Sequence, residues 1–190
     1  MIKNTMQIRR ELDGYSNKDT KIARMVKNGE LIRLNRGIFE TDRSAPQIAL
    51  GPVIYGPSYV SFETALAYYG LIPEYVPNCT CATFKKNKKK VITNNFGNFI
   101  YKDVPAEVFP YGITYCKEGD YTWAIATPEK AICDMLNDHA PIQKDIRGFL
   151  FDGMRIDEDE FKALDKGTML ALASLYKARN LRLLEDMLRE

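Results

Sequence analysis

The sequence predicts an α+β protein: a small helix-and-hairpin region at residues 1–43, then an α/β body at residues 44–190 with a small, mostly antiparallel sheet and a helical C-terminus. Three observations predict it. Residues 17–29 carry a helical apolar period and run straight into two short β-prone segments around a glycine turn. Between residues 79 and 126 lie four runs rich in β-branched and aromatic residues. From Pro141 onward the pattern is helical almost throughout. At 45% apolar and 27% charged, the 190-residue chain has the balance of an ordinary globular protein.

The first region is read in most detail. Residues 4–12, with Ile8 and Leu12 at helical spacing, leave room for one short helix. Ser16 is placed as N-cap of the next, with Asp19 three residues on in capping-box spacing. Ile22, Met25 and Val26 form its apolar face, and Gly29 supplies a left-handed stop. The opposite face carries Asn17, Thr20, Arg24 and Lys27, with Lys21 and Asn28 at its edge and no carboxylate. Residues 31–34 and 38–41 then form a hairpin around Asn35-Arg36-Gly37, with Arg33 and Arg36 on it or at its tip.

A basic helix joined to a basic hairpin is the layout of a winged helix-turn-helix, whose helix enters the major groove while the wing holds the DNA backbone. Asn17, Thr20, Lys21 and Arg24 are the candidates for base or near-base contacts, and Lys27, Arg33 and Arg36 for phosphate. The competing reading is a merely solvated charged face. The charge balance bears on this. Residues 1–43 hold ten Lys and Arg against six Asp and Glu, net +4, while the remainder holds 17 against 19, net −2. Positive charge is concentrated where a DNA reader would need it.

In the body, residues 44–54 read as a short helix opening at Pro46, with Pro52 as a kink or stop. Residues 55–58 are a turn, and Ser61 caps a helix with Phe62, Ala65, Leu66 and Tyr69 on one face, closed by Gly70. Residues 79–84 and 96–101 are strands bracketing Lys85, Lys86, Asn87, Lys88, Lys89 and Lys90, a hairpin tip or loop. Those five lysines are a candidate contact for nucleic acid or an acidic partner, or else a solvated run. Residues 113–116 and 121–126 are two more strands. Thr127 caps a helix with Pro128 at its first position and Ala131, Ile132, Met135 and Leu136 on its buried face. Residues 142–151 form one helical segment, residues 157–164 a second with an acidic first turn, and residues 169–188 the longest helix. That last helix either binds a partner or a second copy, giving a homodimer, or folds back on the sheet.

Catalytic constellations are scarce. His139 is the only histidine, and neither a Gly-rich phosphate loop nor a G-x-S-x-G elbow is present. Glu129 and Lys130, with the lysine run, permit a metal-dependent nuclease as the least favoured option; a helix cap already explains them. Cys79 and Cys81 are one residue apart, and Cys116 and Cys133 are isolated, which points to free thiols rather than a zinc site. No metal or cofactor is expected. No run is long enough to span a bilayer, and the N-terminus lacks the apolar core of a signal peptide, so a cytoplasmic binding protein is expected.

Three ordered blocks within about residues 18–136 carry a resemblance. They are Lys27-Asn28-Gly29-Glu30-Leu31-Ile32-Arg33-Leu34-Asn35-Arg36-Gly37-Ile38-Phe39, then residues 55–73 centred on Tyr59-Val60-Ser61-Phe62-Glu63-Thr64-Ala65-Leu66, then Ala126-Thr127-Pro128-Glu129-Lys130-Ala131-Ile132-Cys133-Asp134. Together they resemble the AbiEi-type antitoxins of bacterial abortive-infection toxin–antitoxin pairs. The resemblance implies a winged-helix domain that represses its own operon by binding operator DNA, and a second domain that antagonises a nucleotidyltransferase-type toxin. Family members have two helices before the recognition helix, for which residues 1–15 are short. The winged helix-turn-helix is therefore expected in truncated form. The same shortening motivates a second hypothesis, a protein-interaction module that no longer reads DNA.

Overall fold

The computed structural model describes residues 1–143 and 145–190. The chain is α+β, with two sheets among the described residues and a helical C-terminal part. It opens with β1 (Ile2–Asn4), α1 (Thr5–Glu11), α2 (Lys18–Lys27), β2 (Ile32–Asn35) and β3 (Ile38–Glu40). The strand β1 was not expected. It pairs antiparallel with β3, from Ile2 opposite Glu40 to Asn4 opposite Ile38, giving the order β1-β3-β2. Asn4 then starts α1: its side chain accepts from the Gln7 amide at 2.9 Å while the Gln7 side chain accepts from the Asn4 amide at 2.8 Å.

One expectation about α2 is corrected. Its N-cap is Asn17, not Ser16, with Oδ1 accepting from the Thr20 amide at 3.0 Å. Asparagine caps as well as serine, and the sequence offers both in succession. Gly29 takes the left-handed conformation (φ 73°) that ends the helix, and Gly37 (φ 77°) does the same in the hairpin turn. Ile8, Leu12, Ile22, Leu31 and Phe39 form their own buried cluster, joined by Met25 and Val26. A core this small needs support. Leu34 supplies it by packing into the core of the body, and Asn35 Nδ2 donates to the Ile54 carbonyl at 2.9 Å. Asn94 Nδ2 reaches back to the Leu34 carbonyl at 3.0 Å.

The body contains α3 (Gln47–Ile54), β4 (Ser58–Val60), α4 (Phe62–Tyr68), β5 (Cys79–Phe84), β6 (Lys90–Asn94), β7 (Gly97–Val104), β8 (Ile113–Glu118) and β9 (Tyr121–Ala126). Their sheet has the order β6-β7-β5-β4-β9-β8. It is mixed: among the described residues three of its five pairings, β6–β7, β5–β4 and β9–β8, are antiparallel, as expected for most of the sheet, and two are parallel. β5 runs parallel to β7 from Cys79 opposite Phe99 to Phe84 opposite Val104, and β4 runs parallel to β9. Two strands went unread. β4 is three residues lodged between a turn and a helix start. β6 begins inside the lysine run and is half exposed. With β6 outside β7, the lysines are neither a hairpin tip nor a direct β5–β7 link. They form a loop that crosses the end of β7 on its way to the sheet edge.

The helix α5 (Pro128–Asp138) is capped by Thr127 as expected, and its middle is buried from Lys130 to Leu136. It is followed by α6 (Ile146–Gly148), a wide turn over Phe149–Gly153, α7 (Glu158–Ala163), α8 (Lys166–Leu175) and α9 (Arg179–Arg189). The single segment expected over residues 142–151, of which Lys144 lies outside the described residues, is broken into a short helix and that wide turn. The long helix expected over residues 169–188 is two helices. Tyr176 is extended at the break (φ −87°, ψ 136°), and its side chain turns into the core. α8 and α9 fold back onto α5, burying Leu181, Leu184, Met187 and Leu188. Among the described residues no helix is long and apolar enough to cross a membrane.

Candidate nucleic-acid interface

Helix α2 buries Ile22 toward the small cluster and leaves its opposite side open. Asn17, Thr20, Arg24 and Lys27 are exposed; Lys21 is half-buried, with its ammonium 5.2 Å over the Tyr15 ring. Asn17 uses its oxygen for the helix cap, so only its amide nitrogen is free to donate outward. On the hairpin, Arg33 and Arg36 are exposed, and the Arg33 guanidinium lies 5.2 Å over the Phe39 ring. That stacking fixes the arginine while its donors face solvent.

The ion pairs explain why this side is positive. Asp19 is held by Arg9 at 2.7 Å, Glu11 by Lys3 at 2.7 Å and Asp13 by Lys18 at 2.9 Å. The hydrogen bond and charge from Lys18 also hold the Asp13 carboxyl below its ordinary value. Glu40 is buried against the N-terminal ammonium. Three of the region's six acids are thus matched by three of its ten basic side chains and Glu40 by the N-terminus, while Glu30 accepts from the Asn28 side chain and Asp42 from the Ser44 amide. The other seven, Arg10, Lys21, Arg24, Lys27, Arg33, Arg36 and Arg43, have no carboxylate within ion-pair distance among the described residues. Arg10 and Arg43 were not singled out from sequence. Arg43 sits beside Arg33 and Gly29 along a groove that reaches Asn95 and Phe96 of the body. Only the fold brings it there.

The lysines of the β5–β6 loop are the second cationic element. Lys85, Lys88 and Lys89 are exposed and Lys86 and Lys90 half-buried. The loop's base is anchored. Asp103 on β7 accepts from the Lys86 amide at 3.0 Å, the Asn87 amide at 2.7 Å and the Thr83 hydroxyl at 2.8 Å. Burial pushes the Asp103 carboxyl up, but the Asn87 and Lys86 amides, the Thr83 hydroxyl and the Lys86 charge outweigh it and hold it below its ordinary value.

The two later sequence blocks have a different fate: they meet inside the protein. Asp134, fully buried, accepts from the Tyr59 hydroxyl at 2.9 Å, the Ser61 hydroxyl at 2.7 Å and the Lys130 ammonium at 2.9 Å. Tyr176 bonds both Asp134 and Lys130. Ser61 is the N-cap residue of α4, as expected, but its hydroxyl donates to Asp134 and makes no capping hydrogen bond. Burial, then the Asp134 charge, pushes the Tyr59 and Tyr176 hydroxyls far above the ordinary tyrosine value. Lys130 is sealed in this network, and Glu129 accepts from the Asp165 amide at 3.2 Å, so the pair weighed for nuclease chemistry serves packing and capping. His139 is exposed and stacks on Phe149 with ring centroids 4.4 Å apart. Cys79, Cys81 and Cys133 are buried and Cys116 is half-buried, all as free thiols. Compared with known proteins, the sequence matches no family model and no curated protein.

Proposed function

We propose that this chain is a DNA-binding regulator of the AbiEi antitoxin type, which occupies its own operator through a truncated winged helix-turn-helix at residues 1–43. The carrying observation is the cationic surface of α2 and the β2–β3 hairpin: Lys21, Arg24, Lys27, Arg33 and Arg36 have no carboxylate partner among the described residues, while Glu11, Asp19 and Asp13 are matched by Lys3, Arg9 and Lys18. In this reading Thr20, Lys21, Arg24 and the Asn17 amide face base edges. Lys27, Arg33 and Arg36 hold phosphates. The protein works by binding rather than catalysis, in the cytoplasm, with the body at residues 44–190 antagonising a nucleotidyltransferase-type toxin. The antitoxin part rests on the three ordered sequence blocks. Two of them converge on the Tyr59–Ser61–Lys130–Asp134 network that organises the body.

A titration of a duplex taken from directly upstream of the coding region, against a scrambled duplex, tests the DNA part. Arg24→Ala should relax sequence preference. Arg33→Gln should weaken binding to both duplexes alike and lower the salt slope by about 0.9. A wild-type protein that binds neither duplex would leave the competing interaction-module reading. The toxin part predicts a nucleotidyltransferase-like reading frame beside this one, whose toxicity in growing cells is relieved by co-expression of this chain. Unrelieved toxicity would refute it.

A further inference from the structure

We propose that the β5–β6 lysine loop is a second contact for the backbone of the same DNA duplex, continuing the footprint of the hairpin onto the body. This rests on the DNA-binding reading above. Two observations beyond the charge carry it. The first is that the loop is built rather than free. Lys85 and Asn87 both adopt left-handed backbone conformations, with φ 51° and 55°. For residues other than glycine such conformations persist only where the surroundings enforce them. Asp103 does so by taking the Lys86 and Asn87 amides. Lys86 and Lys90 are further aligned over one ring, their ammonium groups 5.0 and 4.2 Å from the centre of Tyr55. A run of lysines needed only for solubility requires neither device.

The second observation is continuity. Asn35, at the start of the hairpin turn, bonds the carbonyl of Ile54, the residue next to Tyr55. The hairpin turn is thereby tied to the segment that carries Tyr55, the ring over which Lys86 and Lys90 lie. No loop lysine is in an ion pair among the described residues, although Lys102, Lys130 and Lys162 are. A duplex lying along α2 and the hairpin and extending past Arg36 meets this loop next. Lysine suits the role, because a flexible ammonium follows phosphate without reading sequence.

The test is a fluorescence-anisotropy titration of the upstream and scrambled duplexes across a salt series. It compares wild type, Arg33→Gln/Arg36→Gln, and Lys85→Gln/Lys88→Gln/Lys89→Gln. A charge-matched control is Lys162→Gln/Lys166→Gln/Arg182→Gln, all exposed and on the C-terminal helices. The loop variant should bind both duplexes about 10–100-fold more weakly near 0.15 M salt, with a slope shallower by roughly 2–3. The control should match wild type, and unchanged thermal unfolding should show that all three variants fold. Asp103→Asn should also weaken binding although it makes the protein more positive. That outcome separates a shaped contact from bulk charge. If the hairpin variant weakens while the loop variant binds as wild type does, this proposal is overturned and the DNA-binding reading stands. A control that loses as much as the loop variant also overturns it. If wild type binds neither duplex, both fall together.

Discussion

The buried carboxylate of Asp134 should be worth more to stability than the buried ammonium it pairs with. Asp134 accepts from Tyr59, Ser61, Tyr176 and Lys130; without Lys130 it keeps three hydroxyl donors. Lys130, without a charged Asp134, keeps only the Tyr176 oxygen and the faces of Tyr59 and Tyr176, 5.8 and 4.8 Å away. Asp134→Asn therefore strands a charge in the core, at a cost of about 3–5 kcal/mol. Lys130→Met leaves a solvated-by-hydroxyls carboxylate and should cost about 1–3 kcal/mol. Against a typical total of about 5–15 kcal/mol, the first change is severe. In urea unfolding it should lower the midpoint by roughly 1.5–2.5 M, and the second by about half that or less. The double variant, with both charges gone, should be more stable than Asp134→Asn alone. Equal losses from the two single changes, or a double variant showing their full sum, would refute the reasoning.

Two further predictions concern glycines and alkali. Gly112→Ala should cost about 2–4 kcal/mol in the same unfolding assay, because the added Cβ sits 2.7 Å from the Cβ of the immobilised Lys130 at a φ of 64°. Gly119→Ala, at φ 56° with nothing within 4 Å, should cost only about 1 kcal/mol from backbone strain, and similar losses at the two sites would contradict this. Burial raises Tyr59, Tyr101 and Tyr176 far above the ordinary value of 10, and Cys81 and Cys133 above 9. These groups stay protonated in the folded protein while the unfolded chain loses the protons. Stability should thus be intact below pH 9 and fall above it, by about 1.4 kcal/mol per pH unit for each tyrosine once past pH 10. Unfolding free energies that stay level from pH 8 to 11 would contradict the burial argument.

Local chemistry made part of this architecture readable in advance. Gly29 and Gly37 marked the end of α2 and the hairpin turn because only left-handed backbone fits there, and Thr127-Pro128 marked α5 because that pair caps and starts a helix. The misses arose where tertiary contacts override the local pattern. An apolar period continues through Leu175 and Leu181, yet Tyr176 leaves the helix to reach Asp134, a partner 42 residues away. Ser61 does hold the cap position of α4, but its hydroxyl is drawn to the same carboxylate. β4 has three residues and no period to detect. On α2, helical spacing was enough to place Thr20, Arg24 and Lys27 on one exposed face. The place of Arg43 beside Gly29 and Arg33, and the ties of the hairpin to the body through Asn35 with Ile54 and Asn94 with Leu34, depend on long-range contacts that no local pattern announces.

The most direct test of where a duplex sits is amide hydrogen exchange of the whole protein with and without saturating upstream duplex. Slower exchange should appear in residues 17–40 and again at 85–90, with α8 and α9 unchanged. Protection confined to the C-terminal helices, or none anywhere under conditions where the duplex is bound, would contradict a reader built from α2 and its hairpin.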